Sequence, residues 1–138
     1  MKIPYGIHSI DNDDIKEVIK ALKSNHITQG KTVKKFENNF KNIVGAKYAV
    51  AVSSCSAGLH LCMKALNIQK KDTVATSPIS FVSTATSVIH ESGKLEFVDI
   101  DEETGQICPN KLKKTLLKKK IKTIIPVHIS GAACKIKE

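Results

Sequence analysis

The sequence predicts an α/β fold with a mainly parallel sheet and flanking helices, and three observations support this prediction. Four short apolar runs begin near residues 48, 73, 95 and 123. A segment with helical spacing of apolar residues separates each run from the next, as in folds built from alternating strands and helices. The runs are mainly apolar, as expected of strands that helices cover on both faces.

Two helices are expected before the first strand. Ile15, Val18, Ile19 and Leu22 form one apolar stripe on a helix over about residues 12–24, which Asp11 or Asn12 can cap. A second helix begins near Thr32, and Gly45 is placed to end it. The remaining elements are expected as strands at 48–52, 73–76, 95–99 and 121–127, and as helices at 56–67, 81–92 and 110–120. With no linker or repeat, residues 1–138 are predicted to form one domain.

The net charge of +9 raises the question of a nucleic-acid partner. All 22 basic residues are lysine, whereas specific reading of bases relies largely on arginine. Only two Tyr and four Phe are present to stack on bases. The one dense cluster, in residues 111–122, is typical of a solvated helix surface. We therefore expect no nucleic-acid partner, and nucleic-acid binding is the lowest-ranked alternative.

Neither a membrane segment nor a metal site is indicated. No apolar run approaches the ~18 residues that suggest a membrane helix, and the N-terminus lacks the apolar part of a signal peptide. A cytoplasmic location without a membrane partner is therefore predicted. The cysteines are Cys55, Cys62, Cys108 and Cys134, with no CxxC pair and no histidine at a zinc-site interval. We expect reduced thiols, with Cys62 in the core.

The segment 48–66 carries the first candidate site. It combines a predicted strand, a turn of small residues, Ser53-Ser54-Cys55-Ser56, and a helix. Such a turn brings main-chain N–H groups to a helix N-terminus, where they can bind a phosphate. The pattern is neither GxGxxG nor a P-loop, which disfavours a dinucleotide and excludes a Walker-type site. Taken alone, the turn is equally typical of an ordinary helix cap.

Phe81 follows the next predicted strand and is therefore expected at the same end of the sheet. A phenylalanine in this position could stack on a flat ligand ring, although taken alone it is more typical of a core residue. Together with the Ser-rich turn, it suggests a phosphorylated aromatic cofactor.

The sequence resembles the DegT/DnrJ/EryC1/StrS family of sugar aminotransferases, which depend on pyridoxal phosphate and have fold type I. Five ordered segments carry the resemblance: Thr28-Gln29-Gly30 with Phe36-Glu37, 49–54 with Leu59-His60, 77–82, 97–101, and Pro126-Val127-His128 with Gly131. Segments 28–31 and 77–82 are most similar to the branch that aminates a UDP-4-keto-6-deoxy-hexosamine in pseudaminic acid synthesis.

The resemblance implies roles for individual residues. Cys55 and Ser56 would bind the phosphate of pyridoxal 5′-phosphate, and Phe81 would stack on its pyridine ring. The nucleotide-sugar side would be lined by Tyr5, Asn25, His26, Ile27 and Thr28.

The roles of three further residues, His128, Asp99 and Asp101, are predicted separately. His128 would lie near the cofactor region, and a structural role for it stays open. Asp99 and Asp101 are interpreted as turn and capping residues, because the family's aspartate for the ring nitrogen lies on a later strand. No catalytic residue is assigned.

The resemblance covers about the first third of a family member. The family's Schiff-base lysine, like that aspartate, follows beyond residue 138. We therefore expect a fragment: the N-terminal part of the cofactor-binding large domain of an enzyme that moves an amino group from glutamate to a keto-sugar. The full-length form would be a homodimer, and this chain alone would be inactive. The alternative is a non-catalytic truncated module that binds phosphate or nucleotide sugar, or that serves dimerisation.

Overall fold

The computed structural model describes residues 6–28 and 30–137. In these ranges the elements are, in order, α1 (Asn12–Leu22), α2 (Lys31–Val44), α3 (Cys55–Ala65), β1 (Thr73–Thr76), α4 (Ser83–His90), β2 (Lys94–Phe97), α5 (Pro109–Lys118), β3 (Thr123–Ile125) and a 3₁₀-helix (Ile129–Gly131). None of these helices is both long and apolar enough to cross a membrane. The chain divides into two compact units, Met1–Ala51 and Val52–Glu138. This division does not test the expected single domain, which stays a prediction.

The first unit contains the two predicted N-terminal helices. Helix α1 begins with a capping box, in which the Asp11 carboxylate accepts from the N–H groups of Asp13 and Asp14 and the Asp14 carboxylate accepts from the Asp11 N–H. Helix α2 ends at Gly45, whose φ of 67° is left-handed and suits glycine. The end of this helix is therefore as predicted.

The predicted strand at 48–52 is not formed, and this prediction is wrong. Tyr48 and Val50 are 75% and 77% exposed rather than buried. A strand exists only when a neighbour completes its hydrogen bonds, and no strand in the described part of the chain pairs with this segment. An apolar run alone does not supply that neighbour.

The second unit is built on a three-stranded sheet in the order β2-β1-β3. Both pairings are parallel, with Thr76 of β1 opposite Phe97 of β2 and Ile125 of β3. The three later strands and the parallel sheet were predicted correctly, although β2 and β3 are shorter than expected. The Thr76 hydroxyl donates to the Ile125 carbonyl at 2.8 Å, which satisfies a buried polar group.

Apolar clusters cover both faces of the central strand. Consecutive residues of a strand point to opposite faces, and Val74 and Ala75 accordingly belong to different clusters. The first cluster joins Val74 to residues of α3 and α4, which are Met63 and Val88, and to Ile68. The second joins Ala75 to Val98 and Ile107, with Leu112 of α5 packed against them. This two-sided packing explains why the two central residues of the strand are both apolar.

The cysteines are all free, but Cys62 is exposed and not in the core as predicted. Its neighbour Met63 is 3% exposed and takes the core position. Consecutive residues of a helix point about 100° apart, so only one of these two can face the sheet. The buried cysteine is Cys134.

Candidate functional site

The N-terminus of α3 presents main-chain N–H groups that no acceptor in the described residues binds. Ser54 is the N-cap in an extended conformation, and its hydroxyl accepts from the Ala57 N–H at 3.1 Å. The next N–H group, that of Gly58, donates to the Ser54 carbonyl at 3.0 Å. Within residues 6–28 and 30–137, no acceptor binds the N–H groups of Cys55 and Ser56. These two donors lie at the positive end of the helix dipole, where an anion is favoured.

The start of α4 lies beside the start of α3. The hydroxyl oxygens of Ser56 and Ser83 are 2.6 Å apart and share a hydrogen bond. In the preceding loop, Ser80 bonds to Thr84 at 2.6 Å and the Ser77 hydroxyl donates to the Ile79 carbonyl at 3.2 Å. Hydroxyl side chains therefore hold the loop between β1 and α4 against the start of α4.

Phe81 lies in this loop, two residues before Ser83 and outside α4. Its side chain is 75% exposed, so the core alternative for this residue is wrong. Two N–H donors, the Ser56 hydroxyl and an exposed aromatic ring are thus grouped around two adjacent helix N-termini. Such groups could hold the phosphate and the ring of a phosphorylated aromatic cofactor, so the residues present fit one. The individual roles of Cys55, Ser56 and Phe81 stay predictions.

Ser83 was missed by the sequence analysis. Nothing in the spacing relates it to Ser56, which is 27 residues earlier. A serine at the start of a helix is also too common to be a signal. Only the packing of the two helices reveals the pair.

The predicted residues of the substrate side lie in the first unit, apart from Tyr5, which is outside the described residues. Asn25, His26, Ile27 and Thr28 are exposed in the loop between α1 and α2. A Cβ atom at Gly30 would lie 3.0 Å from the His26 carbonyl oxygen, so the loop closes tightly on its own end. No contact tests the predicted roles of these residues.

Asp101 has the turn role that was expected, whereas the carboxylate of Asp99 forms an ion pair with Lys111 of α5. The Asp99 carboxylate lies 2.7 Å from Lys111 Nζ and accepts from the Ile100 N–H, and these two hydrogen bonds lower its pKa. Asp101 accepts from the N–H and the hydroxyl of Thr104, which lowers the pKa of Asp101 as well. Both carboxylates therefore have partners within the structure.

His128 is held in its own loop. Its Nδ1 accepts from the Cys134 N–H at 2.9 Å, so the proton of the neutral ring is on Nε2. The Cys134 thiol donates to the Val127 carbonyl at 3.0 Å and closes the same loop. This geometry favours the structural alternative for His128. In the described part of the chain, no cluster of His, Cys, Asp and Glu could hold a metal ion.

Comparison with known proteins identifies the family. Residues 8–138 match the profile of the DegT/DnrJ/EryC1/StrS aminotransferase family. The chain belongs to this family. The resemblance seen in the five sequence segments is thereby confirmed.

One relative is the UDP-4-amino-4,6-dideoxy-N-acetyl-beta-L-altrosamine transaminase of Campylobacter jejuni serotype O:2, which is 36% identical over 138 residues. The match covers 99% of this chain and 36% of that protein. The chain spans about a third of the length of the curated relatives it matches.

Solved structures of aminotransferases share the fold. Helicobacter pylori PseC, an aminotransferase of pseudaminic acid biosynthesis, superposes with a TM-score of 0.90 at 27% identity, over 99% of this chain and 37% of PseC. The pyridoxal-phosphate form of the sugar aminotransferase Spr1654 from Streptococcus pneumoniae gives a TM-score of 0.88 at 25% identity, over 99% of this chain and 35% of Spr1654. These likenesses confirm the predicted fold class, part of the pyridoxal-phosphate-dependent transferase fold.

Proposed function

We propose that this chain is the N-terminal portion of a pyridoxal-phosphate-dependent nucleotide-sugar aminotransferase and that the start of α3 binds the cofactor phosphate. The observation that carries the proposal is the pair of N–H groups at Cys55 and Ser56, which have no acceptor within the described residues and lie next to the Ser56 hydroxyl. Family membership supports the choice of cofactor, because one solved relative is in a pyridoxal-phosphate form. When bound, the cofactor would supply an electron-withdrawing ring and would carry the amino group between donor and acceptor.

The chain's own part in the reaction is binding and orientation. Cys55 contributes a main-chain donor, whereas Ser56 contributes both a main-chain donor and a hydroxyl. Phe81 offers an exposed ring face against which the pyridine ring can lie flat. Together these groups would fix both the position and the tilt of the cofactor.

The proposed acceptor substrate is a UDP-4-keto-6-deoxy-hexosamine, with glutamate as the amino donor. Support comes from the similarity to the Campylobacter jejuni transaminase, whose name specifies a UDP-linked amino sugar. Tyr5 and residues 25–28 are proposed to line the nucleotide-sugar side. We further propose a homodimer for the full-length form and a cytoplasmic place of action.

Amino transfer by this chain alone is not expected. The chain spans about a third of its relatives, and we propose that the lysine linked to the cofactor belongs to the region outside that third. Without such a lysine the chain would bind the cofactor without completing the reaction.

Calorimetric titration with pyridoxamine 5′-phosphate tests the phosphate site. This ligand carries an amine in place of the aldehyde, so it cannot react with the 22 lysines of the chain. We expect it to bind more tightly than pyridoxamine, which lacks the phosphate. Equal affinity for the two ligands would contradict the proposal, and a preference for UDP over both would favour the non-catalytic nucleotide-sugar module.

A matched pair of variants separates the N–H group of Cys55 from its thiol. Cys55 is the first residue of α3, where proline is tolerated, and Ser54 before it is extended as proline requires. Cys55→Pro removes the N–H donor, and we expect about a tenfold loss of affinity for the phosphorylated ligand, the order of one hydrogen bond to a charged group. Cys55→Ala keeps that donor and should bind as the wild type does.

A further inference from the structure

The hydroxyl of Ser56 is hydrogen bonded to a second, buried serine. Ser83 is 7% exposed at the start of α4, whereas Ser56 is exposed near the start of α3. The 2.6 Å between their oxygens is at the short end of the range for O–H···O bonds. Ser56 can therefore contact a ligand directly, whereas Ser83 can affect binding only through Ser56.

The hydrogen bond between the two serine hydroxyls can run in either direction. Each serine hydroxyl has one hydrogen and two lone pairs. If Ser83 donates to Ser56, the Ser56 hydrogen is left for an oxygen of a phosphate dianion, which can only accept. If Ser56 donates to Ser83, its hydrogen is already used and its lone pairs face the anion. Only the first arrangement makes Ser56 a donor to phosphate.

The surroundings of Ser83 leave its hydrogen available for Ser56. In the part of the chain that the structure describes, Ser56 is the one hydrogen-bond partner of the Ser83 hydroxyl. Further along, His60 Nε2 of α3 lies 2.7 Å from Oε1 of Glu91, the residue that ends α4. The pair is therefore held between two helices that are bonded to each other at a second point.

We propose that Ser83 is a positioning residue for the ligand phosphate. It donates to the Ser56 oxygen, holds the Ser56 side chain in one rotamer and directs the Ser56 hydrogen outward to the phosphate. Hydrogen bonds that run in one direction polarise each other, so the Ser83 bond strengthens the bond from Ser56 to the anion. This inference rests on the proposed phosphate site.

Ser87 provides a matched control in the same helix. It lies one turn after Ser83 and is 2% exposed, and its hydroxyl donates to the Thr84 carbonyl at 3.1 Å. Ser83→Ala and Ser87→Ala therefore each remove one buried hydroxyl from α4. Only the first of these hydroxyls is bonded to Ser56.

The first test compares the affinity for pyridoxamine 5′-phosphate of the wild type, Ser83→Ala and Ser87→Ala. Ser83→Ala should weaken binding roughly threefold to tenfold, the order of one hydrogen bond, and Ser87→Ala by less than about twofold. The ³¹P resonance of the bound ligand should move in Ser83→Ala alone, because hydrogen bonding to the phosphate changes there. Should Ser83→Ala not give the wild-type circular dichroism spectrum, Ser83→Cys replaces it, since its thiol is a weak donor.

The second test is a double-mutant cycle. In a Ser56→Ala background, Ser83→Ala should cause no further loss, because Ser83 acts through Ser56. An equal loss of affinity in both backgrounds, or equal affinities of Ser83→Ala and Ser87→Ala, would overturn the role of Ser83. The proposed phosphate site would not be affected by that result. If the wild type binds pyridoxamine 5′-phosphate no better than pyridoxamine, the proposed phosphate site fails and this inference fails with it.

Discussion

Lys122, in the basic cluster of residues 111–122, forms an ion pair with Asp72. Lys122 Nζ lies 2.8 Å from the Asp72 carboxylate and 2.7 Å from the Asn67 carbonyl oxygen. The hydrogen bond from Lys122 is the largest cause of a lowered pKa at Asp72. Lys111 and Lys119 of the same cluster also pair with carboxylates. Part of the basic stretch therefore serves to join elements, which composition alone does not reveal.

Lys122→Met should raise the pKa of Asp72 towards its ordinary value of 3.8. A carboxylate whose pKa is lowered on folding stabilises the protein above the unfolded pKa, and this contribution is lost as the pH falls through the folded pKa. The difference in unfolding free energy between wild type and variant should therefore be largest near neutral pH and shrink in acid. Urea titrations at several pH values and ¹³C NMR of the Asp72 carboxyl group measure the two effects.

Lys120→Met is the control for this prediction. In the described ranges, Lys120 has no carboxylate partner, so the pKa of Asp72 should stay at its wild-type value in this variant. The same Asp72 titration curve in both variants would show that the pair with Lys122 is not formed in solution.

Gly58 and Gly93 differ in whether the surrounding side chains leave room for a Cβ atom. Gly58 lies inside α3, and a Cβ there would be 3.4 Å from Val52 Cγ2, an ordinary contact. Gly93 precedes β2, and a Cβ there would be 2.7 Å from Ile68 Cγ2 and 2.9 Å from Val88 Cγ1. Core packing thus requires glycine at 93 and not at 58.

Gly58→Ala should raise the free energy of unfolding by about 0.5–1 kcal/mol, because alanine loses less backbone entropy in a helix. Gly93→Ala should lower it by about 1–3 kcal/mol, because the new methyl group crowds two core side chains. Urea unfolding of both variants measures the difference. A loss of stability in Gly58→Ala would show that its environment has no room for a methyl group.

At the element scale, the errors of sequence reasoning have a common cause. Helix α1 and strand β1 were predicted closely because caps and apolar spacing are local signals. The strand at 48–52 was predicted wrongly because its formation depends on a partner strand. The prediction that Cys62 lies in the core was wrong because apolar character alone does not tell which side of a helix faces the sheet.

The whole molecule spans about one third of the length of its relatives. A chimera can test whether this third carries a working cofactor site. The matched region of the Campylobacter jejuni transaminase would be replaced by this chain, which is 36% identical to it. We expect the chimera to transfer amino groups to the sugar nucleotide more slowly than the parent, and the chain alone to show no turnover. Product formation measured by mass spectrometry checks both expectations.

Phe81→Ala in the same chimera tests the stacking role. Loss of the exposed ring should weaken retention of the cofactor, seen as faster release on dialysis and a visible-range absorbance that needs added cofactor. Phe97→Ala is the comparison, because Phe97 is exposed on β2 and has no proposed role in cofactor binding. Equal retention in the two variants would contradict stacking at Phe81.

The sequence by itself determined the family, the parallel sheet and the helix caps. All of these are encoded over a few residues by apolar periodicity, capping side chains and ordered motifs. Only the tertiary structure decided which hydroxyl is hydrogen bonded to Ser56 and which lysine forms an ion pair with Asp72. It also decided that residues 48–52 form no strand. Ser56 and Ser83 are 27 residues apart, and Asp72 and Lys122 are 50 apart. Such partners are chosen by the packing of helices and strands, because no local pattern relates them.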